Sequence, residues 1–242
     1  MKQLITLAFL LTISIHTYSI SDKIRVGFQA SPGVSWSKPM GKDLQQGKPR
    51  FGVSYGFVLE YWFAKNYGLA TGLGGAFDGC NIKSRDIFRT DTTGSIVRNV
   101  NEKYGFNYIE LPAYLKLKTN DIKRSNFNVW GQLGFTVNIT VSARATYSEP
   151  VTSISGTDIT IVKENILRKG NDVNSLISGF RSNFIDVRLG AGAGFEYKFD
   201  KKAALVCGLF YHNGFINNIF AHDAKKEPNV MRFISLRVGV LF

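Results

Sequence analysis

This 242-residue chain has little that could staple it, divide it or carry it across a bilayer as a helix. Its two cysteines, Cys80 and Cys207, fit no metal-ligand spacing and are too few to brace a chain of this length. They read as free thiols, with a disulfide between them as the alternative. The six prolines build no Pro/Gly/Ser linker, and no charge block separates one part from another, so residues 20–242 read as a single domain. The longest apolar run, Leu4 to Ile15, falls well short of the roughly 20 residues a membrane helix needs. With Lys2 before it and Thr17-Tyr18-Ser19 after it, that run reads as the core of a secretory signal peptide occupying residues 1–19. No segment beyond it holds a 3.6-residue apolar repeat, which argues against helical architecture altogether.

Acidic residues are also scarce: 18 against 30 basic ones, for a net charge of +12. Such a balance can signal nucleic-acid binding, but the bases are dispersed along the chain and form no stripe. For an exported protein the expected partners are anionic outer-membrane lipid and lipopolysaccharide, and no nucleic acid.

What the chain does have is alternation. In Tyr108 to Lys118, YIELPAYLKLK, Ile109, Leu111, Ala113, Leu115 and Leu117 share one parity, while Glu110, Tyr114, Lys116 and Lys118 share the other. Eight such runs follow one another: Lys23 to Trp36, Phe51 to Ala64, Leu69 to Ile82, Phe106 to Thr119, Phe127 to Tyr147, Ser182 to Phe199, Ala203 to Ile216, and Val230 to Phe242. Most exceed the five or six residues usual in soluble sheets. The connections after the second, fourth and sixth runs are short. Those after the first, third, fifth and seventh are long: Ser37 to Arg50, Lys83 to Gly105, Ser148 to Arg181, and Asn217 to Asn229. Long and short connections therefore collect at opposite rims. The expectation is an all-β, eight-stranded antiparallel up-and-down transmembrane barrel, with short periplasmic turns and long extracellular loops, in the cell outer membrane.

Which face meets lipid is read from the glycines. In the sixth run Ile185, Val187, Leu189, Ala191, Ala193, Phe195 and Tyr197 oppose Asp186, Arg188, Gly190, Gly192, Gly194, Glu196 and Lys198. Three glycines in a row would weaken a solvent-facing strand, whereas inside a narrow barrel small residues make room for large ones. Polar residues then belong inside. A soluble barrel with an apolar interior is the inverted alternative. In the last run Ile234, Leu236, Val238, Val240 and Phe242 share the apolar parity, and the final residue is Phe242. This resembles the C-terminal signal by which the barrel-assembly machinery recognises its clients during insertion.

Taken together, RVGFQASPGVSW, GVSYGFVLEYWFAKNYGLATGLGG, YIELPAYLKLK with its mid-strand Pro112, GAGAGFEYKFD and RVGVLF resemble the PorT family of small outer-membrane β-barrel proteins, common in Bacteroidetes. The resemblance spans nearly all of residues 20–242. It implies a possible accessory role in type IX protein secretion, and a local bulge to accommodate Pro112.

The inward parity carries Arg25 and Gln29, Glu60, Glu110, Lys116 and Lys118, Asn128, Gln132 and Asn138, Asp186, Arg188, Glu196 and Lys198, and Arg237. Unpaired charges would be costly in so narrow a lumen. Ion pairs are expected among Glu60, Glu110, Asp186 and Glu196 with Arg25, Lys116, Arg188 and Arg237, forming a polar plug; a proton or solute path is the alternative. Trp36, Tyr55, Tyr61, Trp62, Tyr67, Phe127 and Phe199 lie near run ends, where interfacial aromatic girdles form, although Trp62 has the inward parity. His212 could serve a Ser-His-acid hydrolase acting on lipid, but no serine and acid stand at a diagnostic spacing. No cofactor or metal site is expected. The reading is a non-enzymatic barrel with a filled lumen, structural or secretion-accessory, or engaging a protein through its outer loops, above all Ser148 to Arg181 and Lys83 to Gly105; the alternatives are a narrow solute channel and a lipid-modifying enzyme.

Overall fold

The computed structural model describes residues 23–39, 44–90, 94–122, 125–148, 161–165, 180–199, 203–216, 219–221 and 229–242. The segment 1–19, expected to be a signal peptide, and most of Ser148 to Arg181 fall outside them. Eight long strands form the wall: β1 (Ile24–Pro39), β2 (Arg50–Ala64), β3 (Tyr67–Thr90), β4 (Gly94–Lys118), β5 (Phe127–Ser148), β6 (Ile185–Lys198), β7 (Ala204–Gly214) and β8 (Asn229–Leu241). Each pairs antiparallel with its neighbour in sequence, and β1 pairs with β8 from Gly27↔Leu241 to Pro39↔Asn229, which closes the ring. Closure leaves the barrel wall without an open edge.

Alternation decides what faces where. On β2, Phe51, Tyr55, Phe57, Leu59, Tyr61 and Phe63 are exposed, while Ser54, Glu60 and Trp62 are buried. On β4, Ile109, Leu111, Leu115 and Leu117 are exposed and Tyr114 and Lys116 are buried. The outside is apolar and the inside polar, the reverse of a soluble barrel. From Tyr61 to Phe51 the exposed band runs ten residue steps along β2, about 33 Å of strand, or roughly 24 Å of height at a ~45° tilt. That is the height of the apolar band of outer-membrane barrels.

Several expectations are corrected. Lys83 to Gly105, expected to be a long connection, is largely strand: β3 and β4 continue as a paired ladder to Thr90↔Gly94, because alternation alone does not mark where a strand leaves the bilayer. Ser37 to Arg50 likewise contains the end of β1 and a short strand, Leu44–Gln46, on β3. Within Ser148 to Arg181, where the alternation from Val151 to Val162 allowed an extension of the barrel strands, Ile161–Asn165 pairs with the end of β5, and Phe180–Ser182 pairs with Ile219–Ala221.

Pro112 produces no bulge. The β3–β4 register holds on both sides of it, from Thr71↔Ala113 to Gly74↔Glu110, and the ladder skips the two positions between. A proline has no N–H to donate, and the Thr71 hydroxyl donates to the Pro112 carbonyl across the gap at 2.8 Å. Pro32 on β1 opens the β1–β8 ladder in the same way, between Ala30↔Val238 and Gly33↔Ser235. The bulge lies elsewhere, at Val141 on β5, where Tyr108↔Thr140 is followed by Asn107↔Ser142. The extra residue reverses the parity of β5, so that Ala143 and Ala145 turn inward with Tyr104, Phe106 and Tyr108.

Candidate functional site

Neighbouring strands stack the inward side chains in tiers along the lumen. At the short-turn end, register sets Arg25 opposite Glu60, Gly68 opposite Lys116, and Asn128 opposite Glu196. The four charges meet in a ring. Arg25 Nη1 lies 2.7 Å from Glu196 and 3.7 Å from Glu60, and Lys116 Nζ contacts Glu60 and lies 3.7 Å from Glu196. Two cations thus share two anions, as the cost of burying charge requires. Lys116 Nζ also lies 5.9 Å from the Trp62 ring and 5.4 Å from that of Trp130, and Lys118 Nζ lies 3.8 Å from Trp62. This accounts for Trp62: it is no girdle residue but a buried aromatic face for two lysines.

The middle tier is aromatic. Arg237 stacks over Phe210, 3.4 Å from the ring centroid, and donates to Gln132 Oε1 at 2.9 Å. The Tyr114 hydroxyl meets Thr136 Oγ1 at 2.5 Å and His212 Nε2 at 2.9 Å. Trp130, Phe210, His212 and Phe233 follow in contact, with ring centroids 5.7, 5.7 and 6.1 Å apart. Glycines on β6 and β7 provide the room. A Cβ on Gly192 would stand 2.5 Å from the Phe210 ring, and one on Gly190 2.5 Å from the Tyr114 hydroxyl. The His212 ring thus meets the Tyr114 hydroxyl and the faces of Phe210 and Phe233.

Toward the long-connection end, Arg188 donates from Nε to Asp186 and from Nη1 to Asp78, each at 2.5 Å, with the Tyr108 ring 5.0 Å away. Asn138 Nδ2 reaches Asp186 at 3.4 Å.

The structure thus gathers Arg25, Glu60, Lys116 and Glu196 in one group and Asp186 with Arg188 in another. Glu110 and Arg237 join neither ion-pair group, contrary to expectation, because Arg237 is drawn onto Phe210 and Gln132. Asp78, Trp130 and Phe210 were missed as lumen residues, though each has the inward parity, and Asp78 follows Gly72, Gly74 and Ala76 on it. Ile234, Leu236, Val238, Val240 and Phe242 lie on the outer face of β8. Cys80 and Cys207 are both free thiols. No cluster of three or more potential metal ligands occurs among the described residues. Between the tiers lies a cavity of about 20 Å³, lined by Glu60, Tyr114, Lys116, Trp130, Gln132 and Arg237 among others, with room for about one water molecule.

An apolar exterior, a polar interior and a closed ring of eight strands define the architecture, and a family model for the outer membrane protein beta-barrel domain matches residues 17–219. The chain belongs to that family. It is an outer-membrane protein, its apolar band set in the lipid bilayer, with the short turns periplasmic and the long connections extracellular.

Solved structures similar to this outer-membrane barrel include Ail, the attachment invasion locus protein of Yersinia pestis, at 14% identity and a TM-score of 0.37, covering 91% of this chain and 99% of Ail. Neisserial surface protein A is similar at 12% identity and a TM-score of 0.41, covering 91% of this chain and 96% of the other. OprG of Pseudomonas aeruginosa is similar at 14% identity and a TM-score of 0.37, covering 90% and 94%. No curated protein matches the sequence.

Proposed function

We propose that this outer-membrane barrel is non-enzymatic and non-conducting, and that it acts through its extracellular connections as a structural or secretion-accessory protein. The observation that carries this reading is the filled bore, in which the four-charge ring, the aromatic tier and the Arg188 group succeed one another. A solute path would have to break buried ion pairs. The test is planar-bilayer recording on purified protein: electrical silence is expected, and steady unitary conductance would overturn the reading.

The resemblance to the PorT family of Bacteroidetes supports a narrower form of it, in which the outer connections engage a component of type IX secretion. Deletion of 149–160 tests this by co-purification from outer membranes. A protein partner lost on deletion is the expected result, and an unchanged set of partners would count against it. In the same reading Ile234, Leu236, Val238, Val240 and Phe242 present the lipid side of β8 to the barrel-assembly machinery.

A further inference from the structure

The barrel wall does not stop at the upper edge of its apolar band. β3, β4 and β5 run on as a paired sheet, and there the charges sort by face. Lys83 on β3, Lys103 on β4 and Arg144 on β5 are exposed, with Asn81, Asn107, Ser142 and Thr146 around them. Among the described side chains of the same wall, the acids Asp78 and Glu102 are buried inside. Register places Lys103 between Asn81 and Thr146, and Arg144 beside Gly105. Exposed Lys48 is tied to the same spot, because Asn81 Nδ2 donates to its carbonyl at 2.8 Å. No described acid forms an ion pair with any of these four bases.

The Val141 bulge creates this arrangement. Without the inserted residue, Arg144 would fall on the inward parity and Ala143 and Ala145 would face out. Re-aiming side chains is a recurrent use of bulges, and here it puts a guanidinium outside and packs two alanines within.

The height of the patch identifies what it meets. Phe77, Ile109 and Val141 are exposed at the top of the band. Arg144 lies three residues beyond Val141, and Lys83 and Lys103 six residues beyond Phe77 and Ile109. At ~3.3 Å per residue and a ~45° tilt these are heights of roughly 7 to 14 Å. The polar layer of a bilayer leaflet begins at once above the hydrocarbon and is roughly 5–8 Å thick. A ligand continuous with the acyl chains and phosphorylated at that height fits the surface.

We propose that this face binds the phosphates of lipopolysaccharide in the outer leaflet. Arg144 takes the phosphate nearest the acyl chains, since its planar fork matches phosphate oxygens. Lys103, Lys83 and Lys48 follow toward the phosphorylated core saccharide, and Asn81, Asn107 and Ser142 offer hydrogen bonds to sugar hydroxyls. The proposal needs only the outer-membrane location and does not depend on the lumen being closed.

The test is native mass spectrometry of the full chain in detergent, titrated with lipopolysaccharide that carries bisphosphorylated lipid A and a phosphorylated inner core, and with its fully dephosphorylated form. Wild type is expected to prefer the phosphorylated form. The variant K83Q/K103Q/R144Q should bind it at least about tenfold more weakly, as expected for three bases each near a charged surface, while K23Q/K65Q at the periplasmic rim should bind like wild type. The positions are exposed, so folding is retained, and K83R/K103R must restore binding when Arg144 is left in place. Equal binding of the two lipid forms, or equal loss in the periplasmic-rim variant, would overturn the proposal. So would a triple variant that keeps its affinity for the phosphorylated lipopolysaccharide but loses affinity for the sulfated polysaccharide heparin.

Discussion

Lys116→Met removes one cation from the four-charge ring and leaves Glu60 and Glu196 sharing Arg25. Breaking a buried pair from one side typically costs about 3–5 kcal/mol, because the remaining charge loses its partner without regaining water. Loss of the two tryptophan faces, at 5.9 and 5.4 Å, adds roughly 0.5–1 kcal/mol each. Glu60→Gln, which leaves Arg25 and Lys116 facing Glu196 alone, should cost about as much as the broken pair. The double variant removes one charge of each sign and leaves Arg25 with Glu196 at 2.7 Å, so its loss should fall short of the sum of the single losses by at least about 2 kcal/mol. Urea unfolding of protein refolded into vesicles measures all four species. Tryptophan fluorescence is the readout, since Trp62 and Trp130 flank the ring. Additivity within about 0.5 kcal/mol would refute the claim that these charges act as one buried unit.

Further tests address other parts of the barrel. Gly192→Ala drives a Cβ to within 2.5 Å of the Phe210 ring and should destabilise by about 1–3 kcal/mol in the same titration. A nitroxide at position 115, with the native cysteines replaced, should be accessible to oxygen and shielded from a water-soluble nickel reagent, because Leu115 faces lipid. In the periplasmic turn, the hydrogen bond from Lys198 holds the Asp121 carboxyl below its usual range. Its contribution is therefore present above the unfolded carboxylate pKa and is lost as pH falls through the folded one. Asp121→Asn should lower stability slightly at neutral pH, by less than ~1 kcal/mol for so exposed a pair, and the difference from wild type should vanish in acid unfolding curves.

Alternation made the wall legible because a period of two separates lipid from lumen along a whole strand, as Ile109 to Leu117 against Glu110 to Lys118 illustrates. Glycines at 190, 192 and 194 marked the inward face for a reason the structure displays directly: Tyr114, Phe210 and Trp130 occupy the space they leave. The parity rule failed past Val141, where one inserted residue exchanged the faces of β5, and nothing in TVSARA announces that insertion. It also failed to show where the wall ends, since β3 and β4 stay paired above the bilayer with no change of pattern.

The sequence by itself therefore determined strand count, orientation and the inward parity of each strand up to the Val141 bulge, since each depends only on local periodicity and on which connections are short. Which inward charges meet was decided by tertiary structure alone. Register sets Arg25 beside Glu60 on the neighbouring strand, closure at the β1–β8 seam brings it to Glu196 on β6, Asp78 meets Arg188 from three strands away, and Arg237 is left to an aromatic ring. Distances across a closed ring depend on how every strand is staggered against the next, and no stretch of chain encodes that alone.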